Sequence, residues 1–436
     1  MQSTESLTES ASWAKSRVTK LFSSPAVLGT VLALVVVGLS SYLFWLAMSE
    51  MLGTFHNTAD LADLDGDGDL DVILHNVRSE SEFTAFGVTT LWINQGDGLF
   101  VAARHLESIG AQPGWASAAG DMDRDGDADL VIFTGQSLRF LLNPGEAQGG
   151  WSGEIGIGQT VPPPKGDAQY GSILVGDLNN DGQLDGVVVG CCGRVFTLHP
   201  FDDTPNFSWV WMNEWDSTGR LWARSSILSA LDGLAMRAAA LGDLDGDGDL
   251  DLFAAVIAPR QGRNRDPADR VLINDGSGDF TDSGQRLGET DSTAVALGDL
   301  DGDGDLDALV GTGRRAMVWV NQGGAQGGQD GTFALSGQEI SGGQTRAVLL
   351  SDLDGDGDLD ALIAGRRQAA IWWNDGQAAF TRSSQRFRYS KRHGLAIGDF
   401  NGDGRPDVFA AEYSSDYRVW YNQGDGTFKT RMVSSR

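Results

Sequence analysis

Cysteine is almost absent from this chain: its 436 residues hold two, adjacent at Cys191 and Cys192 in "VVVGCCGRVF". Neighbouring Cα atoms lie about 3.8 Å apart across a trans peptide, closer than an ordinary disulfide sets them. The pair is therefore either a strained vicinal bridge or two buried thiols, and it ties no distant segments together. Histidine is sparse too. His56, His75, His105, His199 and His393 are scattered, and neither G-x-S-x-G nor H-E-x-x-H occurs, which removes the commonest nucleophilic and zinc-hydrolase sites. Basic charge is in short supply: 32 Lys and Arg stand against 60 acidic residues, a formal net charge of −28. Such a balance excludes a general nucleic-acid binder.

The acid is not spread evenly. In "LADLDGDGDLDV", residues 61–72, an aspartate falls at every second place from Asp63 to Asp71. Carboxylates that close repel one another, and alternation with glycine rules out a helix. The stretch reads as a tight, oxygen-rich loop of the kind a hard divalent cation such as Ca²⁺ selects. It is not an EF-hand loop, because the twelfth place, where that loop needs a bidentate Glu, is Leu74. Val72, Ile73 and Leu74 form a β-favouring run, so the loop joins two strands and closes at its ninth position.

The stretch returns six more times, with first aspartates at Asp121, Asp177, Asp243, Asp299, Asp352 and Asp399, spaced by 58, 56, 66, 56, 53 and 47 residues. A second motif follows each loop, as in "LWINQGDGLF" at 91–100, "VLINDGSGDF" at 271–280, "IWWNDGQAAF" at 371–380 and "VWYNQGDGTF" at 419–428, with looser copies at "FLLNPG" (140–145) and "VWMN" (210–213). Each unit reads as strand, aspartate loop, strand, turn, strand ending in Asn, glycine-rich turn, and strand beginning near Phe. That is a four-stranded antiparallel meander. One such sheet cannot bury both faces alone, whereas seven set radially do, so the pattern predicts an all-β, seven-bladed propeller over residues 56–436.

These loops resemble those of FG-GAP/VCBS repeats, the family that builds the integrin α-subunit propeller, and the likeness runs from about residue 55 to the C-terminus. In that family loop positions 1, 3, 5 and 9 supply side-chain ligands to Ca²⁺ and position 7 supplies a backbone carbonyl. Carried over position by position, the resemblance implies up to seven Ca²⁺ ions. The first would be held by Asp63, Asp65, Asp67 and Asp71 with the carbonyl of Asp69, and the second by Asp121, Asp123, Asp125 and Asp129 with Asp127. The third would use Asp177, Asn179, Asp181 and Asp185 with Gln183, and the fourth Asp243, Asp245, Asp247 and Asp251 with Asp249. Asp299, Asp301, Asp303 and Asp307 with Asp305 make the fifth, and Asp352, Asp354, Asp356 and Asp360 with Asp358 the sixth. Asp399, Asn401, Asp403 and Asp407 with Arg405 make the seventh. Asn179 and Asn401 depart from the pattern, and weaker sites are expected there. The loops hold 31 of the 60 acidic residues, so the chain's acidity belongs mainly to these sites.

Residues 25–48, "PAVLGTVLALVVVGLSSYLFWLAM", carry no charge and are long enough to cross a bilayer. Lys15, Arg17 and Lys20 precede them and Glu50 follows. The positive-inside rule then makes residues 1–24 a cytoplasmic tail, 25–48 a transmembrane signal-anchor helix and 49–55 a linker to an exported propeller, periplasmic or at the cell surface. A cleaved signal peptide is the rival reading, though its apolar core is ordinarily shorter. Many calcium loops suit a compartment where the ion is plentiful.

A meander places the aspartate loops and the turns between strands 3 and 4 on one face, and the turns between strands 2 and 3 on the other. From loop position 9 to the strand-3 Asn the distance is 14 or 15 residues in repeats 2, 5, 6 and 7, but 23 in repeats 1 and 4 and 28 in repeat 3. All three insertions fall on the face without aspartate loops. Arg78, Arg139, Arg194, Arg260, Arg263, Arg265, Arg314, Arg315, Arg366, Arg367 and Arg418 also lie in or beside these 2–3 turns. Near the start of the first strands, which the resemblance implies are the inner strands lining a channel, stand Asn57, Trp115, Arg237, Thr293, Arg346 and His393, with Tyr170 beside Gly171. They are the candidate ligand groups at a channel mouth. The expected function is a membrane-anchored, calcium-binding adhesion or recognition module, with a protein or glycan partner on the face opposite the metal loops. A lectin is the alternative. A Ca²⁺-dependent polysaccharide lyase or hydrolase, as some propellers are, is the less favoured alternative and would need Arg237, Arg346 and His393 as its cationic, proton-handling cluster; no enzyme is the first expectation, and no catalytic residues are assigned.

Overall fold

The computed structural model describes residues 59–81, 84–102, 116–134, 137–143, 156–164, 171–190, 208–215, 221–232, 234–257, 266–340, 343–365, 368–388, 394–411 and 417–433. The chain divides into two compact units, Met1–Thr54 and Phe55–Arg436, and all the described residues belong to the second. The expected anchor and the two cysteines lie outside them. Among the described residues no helix is long and apolar enough to cross a membrane, and the helical segments are single 3-10 turns at Ser229–Leu231 and Gly324–Gln326.

Seven four-stranded antiparallel sheets form the seven blades of a propeller, and each sheet takes four strands consecutive in the chain. Blade 1 runs from Asp60–Ala62 to Phe100–Ala102, blade 2 from Ala116–Gly120 to Gly156–Val161, and blade 3 from Gly171–Gly176 to Leu221–Ile227. Blade 4 runs from Ala235–Gly242 to Phe280–Asp282, and blade 5 from Ser292–Gly298 to Phe333–Ile340. Blades 6 and 7 run from Ala347–Ser351 to Phe380–Arg388 and from Leu395–Gly398 to Phe428–Val433. The second strand of every blade begins on the ninth loop residue: Asp71, Asp129, Asp185, Asp251, Asp307, Asp360 or Asp407. The β-favouring residues that follow each of these aspartates start pairing at once.

The second strands carry apolar runs, and strands such as "DLVIF" and "DALIA" are buried throughout. A sheet packed on both faces by neighbouring blades leaves no side for polar residues. The core is accordingly divided into seven clusters, one between each adjacent pair of blades. Between blades 2 and 3, Phe140 meets Trp211 edge to face with ring centroids 5.1 Å apart. Between blades 7 and 1, Phe100 packs edge-on against Phe400, Phe409 and Tyr417.

That last cluster closes the ring. Among the described residues no strand is exchanged between the first and last blades; the N–H of Ala59 donates to the carbonyl of Leu395 at 2.9 Å, and that of Phe100 to the Tyr417 hydroxyl at 2.8 Å. The insertion in repeat 1 is an elongated hairpin. Its strands Asp71–Ser81 and Thr84–Asn94 run to eleven residues each, with Arg78 paired to Phe86, whereas the other second strands have five to seven. Continuing the ladder satisfies backbone groups that a protruding loop would leave to water. The insertion of repeat 3 and residues 258–265 of repeat 4 lie outside the described residues.

Candidate metal centres

Each aspartate loop is organised by its own carboxylates. In blade 1, Asp63 accepts the N–H of Gly66 at 2.8 Å and of Gly68 at 2.9 Å, and Asp67 accepts that of Asp69 at 3.0 Å. Gly68 has φ +91°, which a side chain would strain, and every loop keeps glycine at this sixth position. The ninth aspartate closes the loop. Asp71 takes the N–H of Leu64 on one oxygen at 2.8 Å and that of Asn94 on the other at 2.7 Å. The same two bonds recur in all seven blades.

In five blades three carboxylates converge, with one oxygen from each within 4.8 Å of the others. The groups are Asp63, Asp65 and Asp71; Asp121, Asp123 and Asp129; Asp243, Asp245 and Asp251; Asp299, Asp301 and Asp303; and Asp352, Asp354 and Asp356. The sequence places ligands at positions 1, 3, 5 and 9, and the converging groups come from that set. Position-7 side chains belong to none of them. A Cβ added at Gly276 would lie 2.5 Å from Asp249 Oδ2, and one at Gly376 2.5 Å from Asp358 Oδ2, so the glycine of the 3–4 turn makes room for a carboxylate directed towards that turn. The described loops of blades 3 and 7 gather no such trio.

The donor set fits a hard cation. Buried carboxylate oxygens without a hydrogen-bond partner occur at Asp65, Asp121, Asp245, Asp301 and Asp303 of the converging groups and at Asp305 in a seventh position, and all the converging atoms are oxygens, as Ca²⁺ prefers. Burial, then repulsion from the carboxylate at position 5, pushes Asp65, Asp123, Asp245, Asp301 and Asp354 above the ordinary carboxylate range. Burial raises Asp71, Asp129 and Asp307 to about 7 and Asp185, Asp251, Asp360 and Asp407 to about 6, against the pull of two N–H donors. A bound divalent ion supplies the charge that keeps such groups ionised.

The strand-3 asparagine, read from the sequence only as a strand end, links the sites. The side-chain amide of Asn422 donates to the carbonyl of Leu353 in the preceding blade at 2.8 Å. Asn143, Asn213, Asn274, Asn321 and Asn374 reach back in the same way to Leu64, Met122, Leu178, Leu244 and Leu300. Asn94 reaches Phe400 across the closing junction at 3.1 Å. Each accepting residue is the second of an aspartate loop, and its own N–H is held by the ninth aspartate of that loop. The signal in the sequence was an Asn fixed in seven copies of a motif whose other positions vary.

Of the groups expected on the opposite face, Asn57, Trp115, Tyr170 and His393 lie outside the described residues, as do Arg194, Arg260, Arg263, Arg265, Arg366 and Arg367; nothing is described of the Arg78 side chain. Arg237 and Thr293 sit at the bulges that interrupt the inner strands of blades 4 and 5. The Thr293 hydroxyl lies 2.8 Å from the Thr345 carbonyl and 3.0 Å from that of Gly311. The N–H of Arg346 donates to Ala364 at 2.7 Å. Arg315 pairs with Glu339, and Arg418 donates to the Arg388 carbonyl at 3.0 Å while lying over the Trp420 ring. Arg314 is exposed.

The FG-GAP-like repeat family matches the chain over residues 63–132, 121–188, 243–310, 299–360, 352–410 and 399–434. Integrin alpha-4 of Xenopus laevis is 34% identical over 167 residues, which cover 32% of this chain and 16% of that protein. A candidate 6-phosphogluconolactonase of Bacteroides uniformis shares the fold at 14% identity with a TM-score of 0.50, over 84% of this chain and 96% of that one. A lectin of Agrocybe aegerita that recognises non-reducing terminal N-acetylglucosamine aligns at 17% identity with a TM-score of 0.37, over 87% and 80%.

Proposed function

The chain belongs to the FG-GAP-like repeat family, and on that premise we propose that its propeller is a non-enzymatic recognition module. Ca²⁺ stiffens it on one face, a protein or glycan partner engages the other, and residues 25–48 tether it outside the cytoplasm. The observation that carries the reading is the segregation of its loops. All seven aspartate loops join strand 1 to strand 2, so they share a face with the 3–4 turns, and the elongated hairpin of blade 1 projects from the opposite one. The loop carboxylates are committed to the converging groups or to backbone N–H donors. The ions hold the loops, the loops hold the blades through the asparagines, and a rigid ring presents the 2–3 turns.

A glycan array and a panel of acidic proteins, probed with the Ca²⁺-loaded propeller and followed by a turnover assay on any hit, test the reading. The expected result is binding without turnover, weakening with salt as surface charges are screened. Replacing Arg314, Arg315, Arg366 and Arg367 together by Ser weakens that binding and leaves Ca²⁺ affinity unchanged. Turnover of a hit, or a ligand held by the aspartate loops, defeats it. Protease added to intact cells tests the tether: a protected fragment shorter than about sixty residues is expected, and full protection overturns the topology.

A further inference from the structure

Blades 3 and 7 carry cationic and amide groups of the chain itself at their aspartate loops, and we propose that this propeller binds five Ca²⁺ ions, its third and seventh loops being satisfied without metal. In both loops the third position is an amide, Asn179 or Asn401, and the seventh is Gln183 or Arg405, so three carboxylates remain where five blades have five.

What the remaining carboxylates meet differs as well. In blade 3 the fifth residue, Asp181, accepts side-chain amide hydrogens from Asn179 and from Gln183, each at 3.1 Å on Oδ2. Arg124, from the loop of blade 2, lays its guanidinium on the backbone of the same loop, with Nη2 2.8 Å from the Asp181 carbonyl and Nε 3.0 Å from that of Gly182. In blade 7 the fifth residue, Asp403, pairs with Arg405 at 2.5 Å, and Arg405 Nε also donates to the carbonyl of Asn422 at 3.2 Å. The fifth residue takes a backbone N–H from position 7 in all seven blades; the side-chain donors are what blades 3 and 7 add to it. The other five blades are the ones whose carboxylates converge.

A guanidinium fixed at a loop repels an incoming divalent ion, and the ion would have to break charge-assisted bonds already made. The third and seventh loops thus keep their shape at any Ca²⁺ concentration. Blade 7 forms the closing junction with blade 1, so that junction does not wait on metal at its own loop.

The inference rests on the calcium reading of the other five loops, and ion counting separates the two. Equilibrium dialysis of the whole chain against ⁴⁵Ca²⁺ is expected to saturate at five ions. No binding defeats the calcium reading; six or seven ions, or a smaller number, overturn the five-site assignment alone. Asn401→Asp with Arg405→Asp supplies the missing carboxylate and removes the cation, and is expected to add a sixth ion. Asn179→Asp with Gln183→Asp and Arg124→Ala does the same in blade 3. A folded variant that still binds five ions overturns the role given to these residues, and if neither variant folds the wild-type count decides.

Discussion

Leu306 of blade 5 occupies the space that a side chain would need at Gly242 of blade 4: a Cβ built there would lie 2.6 Å from its Cδ1. The relationship repeats, with Leu184 against Gly120, Leu250 against Gly176, Leu359 against Gly298 and Leu70 against Gly398. Two inner strands end on Ala62 and Ser351 instead of glycine, and the blades that follow them have Ala128 and Pro406 in place of the leucine. Small meets large at five junctions, and intermediate residues stand at the other two. Gly242→Ala is expected to lower stability by about 1–3 kcal/mol through overpacking. Adding Leu306→Ala should relieve part of that loss, so the double variant melts above the temperature expected from adding the two single effects.

The asparagine bridges predict a loss that calcium does not rescue. Asn374→Asp replaces a donor by an acceptor facing the Leu300 carbonyl, at a buried position. Denaturant melts should show a deficit of about 1–3 kcal/mol, similar in chelator and in millimolar Ca²⁺. A deficit confined to Ca²⁺ would make Asn374 part of the metal site instead of a bridge between blades.

Within blade 4 the fifth and seventh aspartates should separate, as should the third. Asp245 converges with Asp243 and Asp251, whereas Asp249 turns towards Gly276 and accepts the side-chain amide of Asn180 from blade 3. Asp245→Ala and Asp247→Ala are expected to remove or weaken one ion in the dialysis count. Asp249→Ala leaves the count unchanged, because a backbone carbonyl survives the substitution, and costs only the bond to Asn180. Equal losses from all three would refute the division of roles.

Asp269 predicts a pH dependence outside the metal loops. Burial pushes its carboxyl up to about 7 while Val256 N–H and the Ser292 hydroxyl donate to it at 2.8 and 2.9 Å. A carboxyl raised in the folded state binds more protons there than in the unfolded chain, so its contribution is fully present below the unfolded value near 3.8 and is lost as pH rises through about 7. Asp269→Asn should therefore flatten the fall in melting temperature between these limits and stabilise the protein above them. With Ca²⁺ saturating, the loop carboxylates stay ionised and do not mask the effect. Parallel curves for the two proteins would show that Asp269 does not titrate in this range.

The sequence by itself determined the number of blades, where the strands start and stop, and which face carries the aspartate loops. Each of these is written within a few residues: alternating aspartate and glycine forces a loop, Val72–Leu74 forces a strand, and a repeat of fixed spacing forces a ring. What the tertiary structure decided are contacts between blades. The reach of Asn94 to Phe400 spans 306 positions, and nothing local in "LWIN" indicates it. The placing of Leu306 over Gly242, and of Arg124 on the loop of blade 3, likewise depends on how adjacent sheets are turned about the axis. The convergence of three carboxylates in five loops and not in seven was hidden for the same reason, since a chain pattern gives the spacing of charges but not the donors that a neighbouring blade or a long side chain brings to them.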